Sequence, residues 1–163
     1  PVLIETAPAE DVPWQLPERY FIHFGQLIRR KGTEWLGEAL LRVWQDEPDF
    51  RMVWVGQPTE QLDQIIARWG SCRDRVLVLG ALKKPELYHV LRRAEAAVLP
   101  SIVDNLPNTV IESLMFGVPV IGTAGASIDE LVEDGVSGTL VPMGDTRALA
   151  SAIVRVWRGQ HLP

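Results

Sequence analysis

Short apolar runs alternate along the chain with longer stretches that carry apolar residues on one helical face. The short runs are mostly continuous in apolar character, as is typical of strands buried on both faces of a parallel sheet. Six of them predict β-strands, at Tyr20–Phe24, Met52–Val55, Val76–Leu79, Ala96–Leu99, Val118–Ile121 and Thr139–Val141. The longer stretches predict helices at Thr33–Gln45, Glu60–Trp69, Pro85–Ala94, Pro107–Phe116, Ser127–Glu133 and Thr146–Trp157.

Six strands alternating with six helices predict an α/β fold, a Rossmann-like doubly wound parallel sheet with helices on both faces. Ligands of such sheets bind at the carboxyl ends of the strands where the winding reverses, which here predicts the loops after the first and fourth strands. Thr33 is expected to be an N-cap, Gly117 a C-terminal stop and Asp145 the cap of the last helix. Four prolines in residues 1–18 indicate a linker, so the folded domain is expected to span residues 19–163.

Composition narrows the classes of function. A length of 163 residues suffices for one domain with a hydrophobic core but is short for a complete enzyme that binds two substrates. No apolar run approaches the roughly 20 residues of a membrane-spanning helix, and a net charge of −5 argues against nucleic-acid binding. A single cysteine, Cys72, provides no disulfide framework and fits a reducing compartment. The chain opens without Met, and we expect it to be a portion of a longer protein.

A basic cluster follows the first predicted strand. Gly25 lets the backbone approach a ligand closely, and the cations Arg29, Arg30 and Lys31 come just before a helix. Because free N–H groups at a helix start favour anions, this segment could bind phosphate. A solvated basic turn would give the same pattern. Neither a Walker motif nor G-x-G-x-x-G is present, so the sequence does not predict a P-loop or a dinucleotide-binding loop.

The segment after the fourth predicted strand carries two acids. Pro107 suits the first helical position, because its missing N–H costs nothing there. Asn108 and Glu112 are four residues apart and share one helix face, and Asp104 lies in the loop before them. The two carboxylates could flank one pocket and accept hydrogen bonds from sugar hydroxyls. A helix cap and an exposed helix acid would produce the same sequence.

Four segments match, in order, the motifs of one large enzyme family. Asp104, seven further residues and Glu112, followed by residues 113–121 (SLMFGVPVI), are similar to an E-x7-E signature. Residues 25–32 (GQLIRRKG) resemble a G-R-L-x-x-x-K-G loop, and residues 80–88 (GALKKPELY) resemble a G-x6-L-Y segment. Residues 129–141 (DELVEDGVSGTLV) look like an E-hydrophobic-x-x-D-G tail. Together, over residues 20–158, they resemble the retaining glycosyltransferases of group 1, or family 4.

This resemblance implies a GT-B enzyme, in which two Rossmann-like domains face a cleft, and identifies this chain with the C-terminal, donor-binding domain. The acceptor-binding N-terminal domain of the parent chain would be its partner. The implied reaction transfers a sugar, with retention, from a UDP-, GDP- or ADP-sugar to an acceptor hydroxyl. The isolated chain would bind the nucleotide-sugar donor without catalysing transfer. No tightly bound cofactor and no metal are expected.

The resemblance also implies roles for single residues. Glu112 would accept hydrogen bonds from the ribose, Leu82 would lie beside the nucleobase, and the loop from Asp104 to Thr109 would hold the sugar. Lys31 would contact the diphosphate, on which negative charge grows as the glycosidic bond breaks. The candidate catalytic residues are thus Lys31, Asp104 and Glu112. The candidate donor-binding residues are Gly25, Gln26, Arg30, Lys31, Leu82, Asn105, Leu106, Pro107, Asn108, Thr109 and Glu112.

Two positions depart from the family pattern. Asp104 stands where Glu is usual, which would shift the sugar contact. Gln26 stands where an Arg usually contacts phosphate, which removes a positive charge unless Arg29 or Arg30 replaces it. The alternatives are therefore a non-catalytic nucleotide-binding Rossmann module, or a GT-B relative that acts as an epimerase or phosphorylase.

The remaining expectations concern the core and the location of the protein. His23 is expected to be a buried histidine with a hydrogen-bond partner rather than a catalytic base. Four tryptophans are expected to pack in the core or at a domain contact, Trp35, Trp44, Trp69 and Trp157. A cytoplasmic location is expected, with peripheral association of the parent enzyme at the inner face of the membrane through its other domain. The sequence does not identify the base, the sugar or the acceptor.

Overall fold

The computed structural model of the protein describes residues 13–102 and 107–160. A six-stranded sheet with the order β3-β2-β1-β4-β5-β6 forms its centre, and every neighbouring pair of strands is parallel. The strands are β1 (Phe21–Phe24), β2 (Met52–Val55), β3 (Val76–Val78), β4 (Ala97–Leu99), β5 (Val120–Thr123) and β6 (Gly138–Val141). All six predicted strands are confirmed, although β5 begins two residues later than its apolar run.

The described residues form five α-helices, of which the first four connect successive strands and the last follows β6: α1 (Thr33–Asp46), α2 (Glu60–Trp69), α3 (Lys84–Arg93), α4 (Asn108–Met115) and α5 (Thr146–Trp157). The predicted helix at Ser127–Glu133 is wrong, because only a single 3-10 turn, Ile128–Glu130, forms there. Ser127 has a φ of 64°, outside the right-handed helical region, so the helix cannot extend from its first residue. None of the described helices is long and apolar enough to cross a membrane.

The helices cover both faces of the sheet, as predicted. Side chains of α1, α2 and α5 pack with Phe21 and Trp54 in one cluster, whereas α3 and α4 pack with Ile22 and Phe24 in another. Successive residues of β1 thus point to opposite faces, which explains why the strand is apolar throughout. Trp14 and Leu16 of the predicted linker pack against the second cluster, although residues 13–18 contain no helix or strand.

Aromatic residues dominate the cluster beneath α1, α2 and α5. Trp69 contacts Trp44 and Trp54 edge to face, at centroid distances of 5.6 and 5.1 Å. Edge-to-face packing suits the ring quadrupoles and contributes about 0.5–1.5 kcal/mol per pair beyond area burial. Trp35 and Trp157 are buried in the same cluster. The prediction that these tryptophans pack in the core is confirmed.

Helix ends follow the predicted chemistry in two of three places. The Asp145 carboxylate accepts a hydrogen bond from the Ala148 N–H at 2.9 Å and caps α5, and Gly117 follows α4 at a φ of 70°. Thr33 is not an N-cap. Gly32 occupies the cap position of α1, and the Thr33 hydroxyl instead lies 3.0 Å from Nε2 of His23.

His23 is buried in the middle of β1, where both ring nitrogens have partners. Nδ1 lies 2.9 Å from the Val98 carbonyl oxygen, which can only accept, so Nδ1 carries the proton and Nε2 accepts from Thr33. Burial lowers the pKa of His23 to about 4, against the opposing effect of the Val98 hydrogen bond. The buried, hydrogen-bonded histidine predicted from the sequence is confirmed.

This lowered pKa predicts a pH dependence of stability. Between about pH 6.5 and 4 the unfolded chain binds a proton at His23 that the folded chain does not bind, so the stability contribution is complete above pH 6.5 and is lost as pH falls. We expect His23 to lower the free energy of unfolding by about 2–3 kcal/mol between pH 7 and pH 4.5. Denaturant unfolding at both pH values, with His23→Asn as comparison, measures this. Equal losses in the two proteins would contradict the expectation.

Candidate functional site

The winding direction reverses between β1 and β4, at the centre of the sheet. The loops that leave these two strands are joined at the carboxyl edge, because the Ile102 N–H donates a hydrogen bond to the Arg30 carbonyl at 2.8 Å. This is the place where doubly wound sheets bind their ligands. The prediction that these two loops meet at one edge is confirmed.

Gly32 lets the two loops approach. Its φ is 79°, and a Cβ there would lie 2.7 Å from the Pro100 carbonyl carbon and closer still to its oxygen. A side chain would therefore clash with backbone, which cannot yield without displacing one loop. The 3-10 turn Arg29–Lys31, which precedes Gly32, is held against the start of the loop after β4 by this contact.

A cavity of about 250 Å³ opens beside this junction, on the side of α3 and α4. Two glycines form its floor where β1 and β2 end. A Cβ at Gly25 would lie 3.1 Å from the Thr109 methyl group, and one at Gly56 would lie 2.7 Å from Leu27 Cγ. The lining residues are Phe24, Gly25, Val55, Gly56, Gln57, Ala81, Leu82, Lys84, Leu87, Thr109 and Glu112.

Glu112 contributes the carboxylate of this cavity. Lys84 Nζ, at the start of α3, donates a hydrogen bond to Glu112 Oε2 at 2.9 Å. The Glu112 side chain is 13% exposed and that of Lys84 is 65% exposed, so the acid belongs to the wall and the amine to the rim. The hydrogen bond to Glu112 raises the pKa of Lys84. Burial, and then hydrogen bonding to the Glu112 carboxylate, raises the pKa of Tyr88.

The basic turn lies next to the cavity but does not line it. The Arg30 guanidinium donates a hydrogen bond to Gln26 Oε1 at 3.3 Å, and both side chains are exposed. Lys31 ends the 3-10 turn and is half-buried. Gly25 thus lines a cavity that contains a carboxylate, and the cations of the turn Arg29–Lys31 follow it in the same loop.

The structure brings together part of the predicted site. Gly25, Leu82, Thr109 and Glu112 line one cavity. Arg30 and Lys31 lie on the neighbouring 3-10 turn, and Gln26 is hydrogen-bonded to Arg30. Asn108 is the first residue of α4, and Pro107 lies one residue before the helix rather than in it. Asp104, Asn105 and Leu106 lie outside the described residues. The predicted meeting of Asp104, Glu112 and Lys31 around one ligand therefore stays a prediction.

Seven of the eleven lining residues were not among the predicted site residues: Gly56, Gln57, Lys84, Phe24, Val55, Ala81 and Leu87. A signal for the first two was present, since Val55-Gly56-Gln57 repeats the apolar-Gly-Gln pattern of Phe24-Gly25-Gln26 at the end of a strand. Lys84 lies only two residues after Leu82, but nothing in the spacing links it to Glu112, 28 residues away. Among residues 13–102 and 107–160, no three His, Cys, Asp or Glu side chains are grouped closely enough to hold a metal.

Sheet order and site together define a Rossmann-like α/β domain with a cavity at its topological switch point. Comparison with known proteins then identifies the family. A family model described as glycosyl transferases group 1 matches residues 18–158. The chain belongs to the group 1 glycosyltransferases.

Curated relatives include glycosyltransferases named for amylovoran and colanic acid biosynthesis. The chain is 30% identical over 118 residues to the amylovoran biosynthesis glycosyltransferase AmsK of Erwinia amylovora, covering 69% of this chain and 29% of AmsK. It is also 30% identical over 148 residues to the putative colanic acid biosynthesis glycosyltransferase WcaL of Salmonella typhimurium, covering 86% of this chain and 36% of WcaL. The chain spans about a third of the length of these relatives.

Solved structures share the fold. The pneumococcal O-GlcNAc transferase GtfA, in complex with UDP and GlcNAc, is 22% identical with a TM-score of 0.76, over 88% of this chain and 29% of GtfA. Anabaena HepE, in complex with UDP and glucose, is 26% identical with a TM-score of 0.73, over 84% of this chain and 38% of HepE. The sheet of this chain is thus the Rossmann-like unit of GT-B glycosyltransferases, as predicted.

Proposed function

We propose that this chain is the donor-binding domain of a retaining glycosyltransferase, which moves a sugar from a nucleoside diphosphate to an acceptor hydroxyl. The observation that carries the proposal is the position of Glu112, whose carboxylate lies in the wall of the cavity with Gly25 and Leu82. A carboxylate can accept hydrogen bonds from both hydroxyls of a ribose. Leu82 and Ala81 give this cavity an uncharged edge on which a nucleobase can lie.

The diphosphate would then lie toward Gly25 and the basic turn. Gly25 leaves room for close approach, and negative charge grows on the leaving diphosphate as the glycosidic bond breaks, so a cation there stabilises the transition state. Gln26 is uncharged, but the Arg30 guanidinium lies 3.3 Å from its Oε1 and returns a positive charge to that position. This proximity favours a transferase over a non-catalytic module.

Relatives support the choice of donor. HepE, 26% identical to this chain, was crystallised with UDP and glucose, which are the two halves of a UDP-sugar. In our proposal Lys31 and Arg30 contact the diphosphate, Asp104 and the loop to Thr109 hold the sugar, and no metal takes part. The specific nucleotide is left to experiment.

The rest of the enzyme is part of the proposal. Because the chain spans about a third of its curated relatives, we propose that residues 19–163 form the donor domain of a longer chain whose N-terminal domain binds the acceptor. Residues 1–18 would lead into it from that domain. We further propose that the parent enzyme works in the cytoplasm, with peripheral association at the inner face of the membrane through its other domain. Retention is tested on the parent enzyme by NMR of the product's anomeric configuration.

Thermal unfolding of the chain with UDP, GDP, ADP and their sugars tests the binding proposal. A ligand at 100 times its Kd stabilises the folded state by about 2.7 kcal/mol. For a domain of this size that corresponds to a rise in Tm of about 5–10 °C. We expect one nucleoside diphosphate, with its sugar, to produce such a rise and the others to produce much less.

Two further measurements separate the alternatives. Inorganic phosphate in the same assay should leave the Tm unchanged, whereas a phosphorylase would respond to it. Binding without any turnover by the parent enzyme would indicate the non-catalytic module instead. No rise with any nucleotide at millimolar concentration would count against the site itself.

A further inference from the structure

We propose that Lys84 is a positioning residue for ribose recognition, and that it acts by holding one oxygen of the Glu112 carboxylate while the rest of that carboxylate faces the donor. The proposal rests on the proposed function. It concerns one of the six unspecified positions of the G-x6-L-Y segment, on a different helix from Glu112.

The geometry begins with the start of α3. Lys84 is the first residue of this helix, and Pro85 follows it. The Lys83 N–H donates a hydrogen bond to Glu86 Oε1 at 3.3 Å, which closes the first turn. The backbone that carries Lys84 is therefore held in place before any ligand binds.

The side chain of Lys84 reaches from α3 to α4. Its Nζ lies 2.9 Å from Glu112 Oε2, and it lies 5.8 Å from the ring centroid of Tyr88. Lys84 and Glu112 both line the cavity. With Oε2 bound to the ammonium, the carboxylate is oriented and its remaining lone pairs are available to hydroxyl donors.

Water screens this ion pair from the lysine side. The Lys84 side chain is 65% exposed and that of Glu112 is 13% exposed, so the pair contributes only about 1 kcal/mol to the stability of the fold. A bound donor would cover the exposed part of Glu112 and exclude water from its carboxylate. A buried carboxylate is costly unless it is paired. Lys84 is already paired with the Glu112 carboxylate before the donor binds. Without Lys84, the free-energy cost of covering an unpaired carboxylate would weaken donor binding.

The experiment measures Kd for UDP and for 2′,3′-dideoxy-UDP on this chain by calorimetry. We expect Lys84→Met to weaken UDP binding about tenfold and to change dideoxy-UDP binding less than about twofold, since the lost interaction acts through ribose hydroxyls. Lys84→Arg, which keeps the charge, should restore most of the affinity for UDP. Lys83→Met is the matched control, because Lys83 is the adjacent exposed cation and does not line the cavity.

A double variant separates direct from indirect action. If Lys84 acts through Glu112, then Lys84→Met should add little to the loss caused by Glu112→Gln. Equal weakening of UDP and dideoxy-UDP would overturn the proposal, because it would indicate direct contact with the diphosphate. If Glu112→Gln weakens UDP binding and Lys84→Met does not, the role of Lys84 is overturned but the proposed function is not. Failure of the unchanged chain to bind any nucleotide would overturn both.

Discussion

Glu112→Ala should abolish the rise in Tm that a nucleoside diphosphate gives this chain. The two hydrogen bonds from the ribose hydroxyls to the charged carboxylate contribute about 1.5–3 kcal/mol each, so affinity should fall by about 100-fold or more. The fold should persist. Removing Glu112 leaves Lys84 without its ion-pair partner, but the Lys84 side chain is largely exposed and water can solvate it. Thermal unfolding with and without the nucleotide measures both quantities in one experiment.

Glu60→Ala provides the control for this variant. Glu60 is an exposed acid in the first turn of α2 and does not line the cavity. Its removal changes the net charge by the same amount, so any general electrostatic effect on an anionic nucleotide should appear there too. An undiminished response of Glu112→Ala, or an equal loss in both variants, would contradict the assigned role.

Gly32→Ala should strongly destabilise the chain. The residue has a φ of 79°, which costs an L-residue about 1–2 kcal/mol, and its Cβ would clash with the Pro100 carbonyl group, for which overpacking costs of about 1–3 kcal/mol are typical. The expected loss of about 2–5 kcal/mol corresponds to a fall in Tm of about 5–15 °C. Since the clash separates the basic turn from the loop after β4, nucleotide affinity should also fall.

Gly159→Ala separates the effect of the clash at Gly32 from the effect of the backbone strain. Gly159 has a φ of 72°, close to that of Gly32, but a Cβ there would meet no atom within 4 Å. We expect this variant to lose only the strain part, about 1–2 kcal/mol, and to keep its nucleotide response. Similar losses in the two variants would show that the contact between Gly32 and Pro100 is not what holds the loops together.

Some residues of the candidate site could be predicted from the sequence and others could not, for a physical reason. Gly25 directly follows β1, and Glu112 lies on α4, the helix that follows the neighbouring strand β4, so a sequence pattern could bring them together. Lys84 was not predictable in this way, because its partner is decided by the direction in which a long, flexible side chain crosses between α3 and α4. Thr33 shows the same limit, since its hydroxyl bonds to buried His23 instead of capping its own helix.

The alternation of apolar runs and amphipathic stretches, by itself, determined the six strands, the main helices and the edge of the sheet that carries the site. These properties depend on local periodicity and on the rule that parallel strands end at one edge. Only the tertiary structure decided that Gly32 packs on Pro100, that Arg30 lies beside Gln26, and that Lys84 holds Glu112. Each of these contacts joins residues through the packing of separate segments or through side-chain direction, which local pattern does not specify.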